Sequence, residues 1–228
     1  MKEHVPIGLG PIASQPLREQ VYERLRHALM SGQIAPGRKL TSRKLAAELG
    51  TSDMPVRSAL MRLQALHALE QLANGSMTLP AMTRDRFSDL MTTRLICEPA
   101  AARRAVDGLD RAGLVKLRQV AFALTASAED QDIDAYLLHN HDFKFSIYAA
   151  CGSPSLLFLI ETLWLQVGPF LRQFSGQFDN DLRGILELDY HDEIVNRLEE
   201  RDADGAAELL ARDIREGYAF LMTHGQFE

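Results

Sequence analysis

The sequence predicts a mostly α-helical chain, in which a small N-terminal domain with one short hairpin is joined to a larger domain built of helices alone. Apolar residues recur at helical spacing in nearly every segment of the 228 residues. The dipeptide Asn74-Gly75 separates two short apolar runs, which is the pattern of a tight hairpin turn. Charge divides the chain as well: residues 1–82 hold 10 Lys and Arg against 6 Asp and Glu, whereas residues 83–228 hold 15 against 25. The net charge of −6 therefore combines a basic domain with an acidic one.

The composition excludes several classes of protein. A hydrophobic fraction of 46% is too high for a disordered chain, and 15 Gly and 9 Pro without a period exclude a collagen-like one. Cys97 and Cys151 stand in apolar surroundings and are expected to be buried thiols, with no disulfide and no metal. No apolar run approaches the ~20 residues that cross a bilayer, and no secretory signal opens the chain. We expect a cytoplasmic protein without membrane contact, and a flexible arm over residues 1–14.

Three helices are predicted in the N-terminal domain. Residues 17–30 carry an apolar stripe with arginines on the other faces, and Gly32 ends that helix. A second, short helix covers residues 42–49, and Gly50 suits its left-handed exit. A third helix begins within residues 51–53, where Thr, Ser and Asp are all favoured capping residues.

The second and third helices have the spacing of a helix-turn-helix motif. A steep crossing needs a small residue at the contact, here Ala46 or Ala47, and a glycine in the turn, here Gly50. The second helix of such a motif enters the major groove of DNA, and its N-terminal residues face base edges or phosphates. Those residues are Ser52, Asp53, Met54, Pro55 and Arg57. With the hairpin as a wing, residues 15–82 are predicted to form a winged helix-turn-helix domain that binds double-stranded DNA.

The remainder, residues 83–228, is predicted to be an all-helical bundle. Capping residues fit its breaks, among them Ser153 before Pro154 and either Asp202 or Asp204 before the last helix. Its negative charge disfavours contact with DNA. The predicted helices cover residues 85–106, 110–129, 132–151, 154–175, 179–200 and 204–224.

Four motifs of this chain resemble the GntR family of bacterial regulators, and the helical remainder resembles its FadR-type branch with an FCD effector-binding and dimerisation domain. The motifs are Pro16-Leu17-Arg18-Glu19-Gln20-Val21-Tyr22, Ile34-Ala35-Pro36-Gly37, Leu40-Thr41-Ser42-Arg43 and Pro55-Val56-Arg57-Ser58-Ala59-Leu60. The resemblance implies a ligand-responsive transcriptional regulator, most often a repressor, that binds a palindromic operator as a homodimer. It implies no enzyme, and the alternatives are a metal-dependent enzyme built on the helical domain or a DNA-binding protein whose dimer domain takes no ligand.

The resemblance also assigns DNA contacts to particular residues. The matching positions are Arg43, Thr51, Ser52, Arg57 and the wing-tip Gly75. Asp53 departs from the family, which often has arginine there. A carboxylate at this position repels phosphate but can accept a hydrogen bond from cytosine N4, and it can instead cap the helix.

For the second domain, the resemblance implies a cavity that often holds a divalent metal. The family's ligands are an Asp or Asn, a His four residues later, and a His on each of two later helices. The matching residues here are Asn140, Lys144, His191 and Asp213. A protonated lysine has no lone pair for a metal, so we predict no metal cofactor, with His191 and Asp213 as weak candidates only. Lys144 is expected to replace the charge of the metal by pairing with Asp213 or with an anionic effector.

Arg94 matches an arginine that lines the family's cavity. A buried arginine can hold a carboxylate through two hydrogen bonds, which implies a small organic acid as effector. The alternative is a pair between Arg94 and Glu98, one turn later on the same helix. His139 and His141 lie on different helix faces and are expected to be surface or interface residues.

Overall fold

The computed structural model describes residues 17–228, so the predicted arm at residues 1–14 lies outside the described part. The N-terminal part contains α1 Leu17–Met30, α2 Ser42–Glu48, α3 Asp53–Ala65, β1 Glu70–Gln71 and β2 Met77–Thr78. The C-terminal part contains α4 Arg84–Gly108, α5 Arg111–Glu129, α6 Ile133–Ala149, α7 Pro154–Val167, α8 His191–Glu199 and α9 Ala203–His224. Between α7 and α8 the chain forms the 3-10 segments Gly168–Phe174, Phe178–Asn180 and Leu182–Glu187. The predicted fold class, a winged helix-turn-helix followed by an all-helical bundle, is confirmed.

The turn between α2 and α3 has the geometry of a helix-turn-helix. The N–H of Thr51 donates to the carbonyl of Ala46 at 3.0 Å, and Gly50 adopts a positive φ of 61°. Ala46 is buried, whereas Ala47 is exposed. Ala46 is therefore the small residue that faces into the domain, and α3 packs on both α1 and α2.

The wing is a two-stranded antiparallel sheet. Its register pairs Glu70 with Thr78, and Gly75 sits at the tip of the turn with a φ of 81°. Leu40, just before α2, exchanges two backbone hydrogen bonds with Met77, at 2.7 and 2.8 Å. This bridge fixes the wing beside the start of α2.

The C-terminal domain is built around the long helix α4. It packs along α9 and also contacts α6 and α7, while α5 packs on α6 and α8. Ser153 caps α7 by accepting from the Leu156 N–H at 3.4 Å, and Asp202 caps α9 by accepting from the Gly205 N–H at 2.9 Å. Of the two candidate caps for the last helix, Asp202 is therefore the one used. Cys97 and Cys151 are buried free thiols, as predicted.

The prediction of one helix over residues 179–200 is wrong in its first half. Three consecutive residues, Phe178, Asp179 and Asn180, have φ between 56° and 63°, which a right-handed helix does not allow. The Asp181 side chain then accepts from the N–H of Arg183 at 3.1 Å, and a short 3-10 turn follows. The α-helix begins only at His191, so the preceding residues are free to line a cavity.

Residues Pro154–Phe174 reach the length and composition of a membrane span, with a mean hydropathy of 1.3. The expectation that no apolar run approaches that length is therefore wrong. In the structure this stretch is α7 and the following 3-10 turn, and α7 packs against α1 and α4. Ile160 and Trp164 are fully buried, as expected for a core helix.

The two domains are docked on each other through α1. Arg26 on α1 forms an ion pair of 2.6 Å with Glu161 on α7, and the Arg172 Nε donates to the Gly32 carbonyl at 2.7 Å. Gly168 lies so close to the end of α1 that a Cβ there would overlap the carbonyl oxygens of Leu29 and Met30. The orientation of the first domain is thus tied to α7 and to the turn that follows it.

Candidate DNA-binding surface and effector cavity

The helix-turn-helix and the wing together form one concave surface. Arg43 lies in the first turn of α2, Arg57 lies on α3, and Gly75 is the tip of the wing. These residues line a groove of about 410 Å³ together with Asp53. Four predicted DNA-contacting residues are therefore brought to one surface.

The two arginines of this groove are exposed. Within residues 17–228, neither Arg43 nor Arg57 makes a hydrogen bond or an ion pair of 4.0 Å or less. Arg62, only five residues from Arg57, is held by Glu19 at 3.0 Å and lies over the Tyr22 ring at 3.6 Å. Arg62 therefore stabilises the packing of α1 on α3, whereas Arg43 and Arg57 remain available to an anion.

The start of α3 corrects part of the prediction for this surface. Pro55 is buried, because it belongs to the first turn of α3 and faces the domain interior, so its side chain is not presented on this surface. Ser52 occupies the N-cap position and Asp53 is the first helical residue, so Asp53 is not the cap. The Oγ1 of Thr51 and the Oδ1 of Asp53 are shielded from solvent and have no hydrogen-bond partner in the described part of the chain.

Met54 and Ser52 are exposed beside these two residues. Buried polar atoms are normally paired, so these two atoms are exceptions at the start of α3. The hydrogen bond from cytosine N4 to the Asp53 carboxylate stays a prediction.

The second candidate site is a cavity of about 60 Å³ inside the helical domain. It lies between α4, α6, α9 and the irregular segment before α8. Four of the five predicted effector residues line it: Arg94, Asn140, Lys144 and Asp213. His191 is not among the lining residues, but Asp189 and Tyr136 are.

Arg94 forms an ion pair with Glu98, which is the alternative to an effector contact that the sequence predicts. The Glu98 carboxylate accepts from the Arg94 Nε at 2.5 Å and Nη2 at 3.1 Å, from the Trp164 Nε1 at 3.0 Å, and from the Tyr148 hydroxyl. Both members of the ion pair are almost fully buried. The Arg94 guanidinium also lies 4.8 Å from the Trp164 ring centroid. The positive charge of Arg94 is therefore neutralised by Glu98 inside the core, so Arg94 is not reserved for an effector.

Lys144 donates to Asp213 in a buried ion pair between α6 and α9. Burial raises the pKa of Asp213, and the charge of Lys144 opposes that rise. The pairing expected from the sequence is therefore present. The ammonium group of Lys144 occupies the position at which the resembling family has a histidine ligand.

His191 is part of a separate hydrogen-bonded group beside the cavity. Its Nδ1 lies 2.7 Å from the Asp189 Oδ1 and its Nε2 lies 2.7 Å from the Thr125 Oγ1, so both ring nitrogens are engaged. The Tyr136 hydroxyl donates to the Asp189 Oδ2 at 2.6 Å. Burial lowers the pKa of His191, but the hydrogen bond and charge of Asp189 outweigh it and the net shift is upward.

Sequence reasoning missed Tyr136 and Asp189. Tyr136, Asn140 and Lys144 stand at intervals of four residues, so the helical spacing of α6 alone places Tyr136 on the cavity face. Asp189 lies outside any α-helix, two residues before His191, and no periodicity marks it.

Comparison with known proteins agrees with this architecture. Residues 17–78 match the family described as bacterial regulatory proteins, gntR family, and residues 89–216 match the FCD domain. The HTH-type transcriptional regulator McbR of Escherichia coli K12 is 30% identical over 215 residues, which cover 94% of this chain and 96% of McbR. The chain belongs to the GntR family of bacterial transcriptional regulators.

A solved structure of McbR and one further relative extend the comparison of this GntR regulator. The solved structure of E. coli McbR/YncC is 29% identical and superimposes with a TM-score of 0.84, over 93% of this chain and all of that one. The HTH-type transcriptional repressor RspR of E. coli K12 is 23% identical over 205 residues, or 89% of this chain and 88% of RspR. This GntR protein is a DNA-binding transcriptional regulator and not an enzyme.

Proposed function

We propose that this GntR protein is a ligand-responsive repressor that binds a palindromic operator as a homodimer in the cytoplasm, and that its effector is a small organic acid. The observation that carries the proposal is the groove beside the wing in which Arg43 and Arg57 are exposed and have no partner among residues 17–228. Phosphate oxygens and guanine edges are the partners that such arginines bind. The acidic domain, which has its own cavity of about 60 Å³, is suited to sense a ligand away from DNA.

The size of the cavity and the ammonium group of Lys144 support a small acid as the effector. About 60 Å³ holds only a few non-hydrogen groups, since one water needs roughly 10–15 Å³ of such volume. Lys144 is a cation whose partner, Asp213, comes from another helix. An effector carboxylate can take the place of Asp213 on Lys144, which loosens the contact between α6 and α9. Binding would then shift the population of domain arrangements.

A thermal-shift screen with short mono- and dicarboxylates tests the effector. One acid is expected to raise the melting temperature of the wild type and to release it from selected operator DNA. The double variant Lys144→Met with Asp213→Asn removes both charges and is expected to lose this response. Lys116→Met, an exposed lysine on α5, is the matched control and should respond like the wild type. An acid that acts equally on all three proteins contradicts a site at Lys144.

Exposed apolar side chains on the helical domain support the homodimer. Phe122 is 75% exposed on α5 and Ile96 is 70% exposed on α4, although both are large and apolar. A contiguous exposed apolar surface is typical of a site that a partner covers, and Val115, 54% exposed two turns before Phe122 on α5, extends this surface. Light scattering of the purified chain is expected to give twice the 25.5 kDa of one copy. Phe122→Glu and Ile96→Glu then identify which surface is covered, and a concentration-independent monomer contradicts the proposal.

A further inference from the structure

Three potential metal ligands meet where the two domains touch. His27 comes from α1 of the DNA-binding domain, and His141 and Asp142 come from α6 of the helical domain. The His141 Nδ1 lies 3.0 Å from the Asp142 Oδ1, and the His27 Nε2 lies 3.7 Å from the same oxygen. One ligand atom from each of the three residues lies within 4.8 Å of the others. None of them lines the effector cavity.

We propose that His27, His141 and Asp142 form a binding site for a divalent metal of the zinc, cobalt or nickel type. Two imidazole nitrogens and one carboxylate oxygen are ligands that these metals favour, and a tetrahedral site with bonds of about 2.0–2.1 Å places its ligands about 3.3 Å apart. The two nitrogen–oxygen separations, 3.0 and 3.7 Å, lie on either side of that value, and all three ligand atoms lie within 4.8 Å of one another. To bind an ion, the His141 Nδ1 exchanges its hydrogen bond with Asp142 for the metal and the side chains close to this spacing, with solvent as the fourth ligand.

The surroundings of the cluster suit a metal that exchanges with solvent. The side chains of His27 and Asp142 are 45% and 43% exposed, which leaves an entry path. His141 is buried, and its ring stacks on Phe145 with 4.5 Å between the ring centroids. It also makes an edge contact with Trp164, with the centroids 6.2 Å apart, so packing fixes its position.

The charge nearest to the cluster is already neutralised. Arg26, the neighbour of His27, is held by Glu23 and by Glu161, each at 2.6 Å. A bound cation therefore meets the Asp142 carboxylate without a competing unpaired arginine. Because its ligands come from both domains, the metal joins α1 directly to α6 and restrains the orientation of the DNA-binding domain.

Titration of the metal-free full-length chain with Co²⁺, followed by visible absorption, tests this site without DNA or effector. The wild type is expected to bind one Co²⁺ per chain with the absorption of a nitrogen- and oxygen-ligated ion, and to gain thermal stability. His27→Gln is expected to weaken binding at least about tenfold, because one ligand is lost and partly exposed His27 makes few packing contacts. Asp142→Asn should weaken binding as well.

Two variants serve as controls. His139→Gln removes a histidine of α6 outside the cluster, and His191→Gln removes the histidine beside the effector cavity; both should bind Co²⁺ as the wild type does. Absence of Co²⁺ binding in the folded wild type, or unchanged binding by His27→Gln, overturns the proposal. Loss of binding in His191→Gln alone would place the metal at the effector cavity and overturn it as well. Because the readout is metal binding itself, its failure is separate from failure of the proposed regulatory function.

Discussion

Arg94 and Lys144 are both buried cations of the helical domain, but their partners stand at very different distances along the chain. Glu98 is one turn from Arg94, so helical spacing alone predicts that pair. Asp213 is 69 residues from Lys144. From the sequence, only the resemblance to the family's cavity predicted that these two residues would pair. Local pairs are predictable from a sequence because the helix sets their geometry. Distant pairs depend on how the helices pack.

At the residue scale, Glu98→Gln is expected to lower the free energy of unfolding by about 3–5 kcal/mol. The substitution keeps the shape of the side chain but leaves the Arg94 charge buried without its counter-ion. Urea denaturation followed by circular dichroism measures the change. The exposed pair of Arg212 and Glu216 provides the control, since Glu216→Gln should cost less than about 1 kcal/mol. Equal effects of the two substitutions would show that burial does not set the strength of the Arg94 pair.

The His191 and Asp189 pair predicts a pH dependence of stability. The pKa of His191 in the folded chain is raised above the usual 6.5, so the stabilisation is fully present below that pH and is lost as pH rises through the raised pKa. Each unit of pKa difference corresponds to about 1.4 kcal/mol. The difference in unfolding free energy between the wild type and His191→Gln should therefore shrink as pH rises above 6.5. A difference that grows with pH would contradict the assigned pair.

At the scale of elements, the helices predicted from apolar spacing are present. Where the prediction differs from the structure, the difference has a local physical cause. The segment after α7 keeps helical composition but adopts three successive positive φ angles at residues 178–180. Those angles depend on the surrounding packing, because Phe178 lies against Gly184 and stacks on Phe220 at 4.5 Å. Apolar periodicity does not carry that information. The segment that sequence reasoning missed is also the one that supplies Asp189 to the cavity.

The capping of α9 gives a prediction at this scale. Asp202→Ala is expected to cost about 1 kcal/mol of stability, because the side chain accepts from the Gly205 N–H. Asp204→Ala removes only an exposed ion pair with Arg103 and should cost less than about 0.5 kcal/mol. Thermal or urea denaturation of both variants measures the difference. The reverse order of effects would show that Asp204 is the cap in solution.

At the scale of the whole molecule, the division of charge near residue 82 predicted where one domain ends, and α4 begins at Arg84. The docking of the two domains was not predictable, because it depends on contacts such as that between Arg26 and Glu161. The docking also depends on Gly168, whose close approach to the end of α1 is visible only in the folded structure. The sequence shows Gly168 merely as a residue after an apolar stretch.

Gly168→Ala is expected to disturb the docking of the domains. Its new methyl group would overlap the backbone carbonyls at the end of α1, so we expect a lower melting temperature and faster proteolysis between the domains. Gly217→Ala is the control: it lies inside α9, where the new Cβ meets only the Phe174 ring at 3.7 Å. That variant should gain about 0.5–1 kcal/mol from helix propensity. Equal melting temperatures of Gly168→Ala and the wild type would show that the close approach at α1 is absent.

The central claim is that Arg43 and Arg57, exposed beside the wing and without a partner in the described part of the chain, read operator DNA. The measurement that tests it most directly is selection of duplexes from a random pool at low salt, where phosphate contacts are strongest, followed by mobility-shift titration. The wild type should select a palindromic sequence, and Arg57→Ala should bind it about tenfold or more weakly. Arg24→Ala, an exposed arginine of α1 outside the groove, should bind like the wild type. Failure to select any duplex, or unchanged affinity of Arg57→Ala, would contradict the claim.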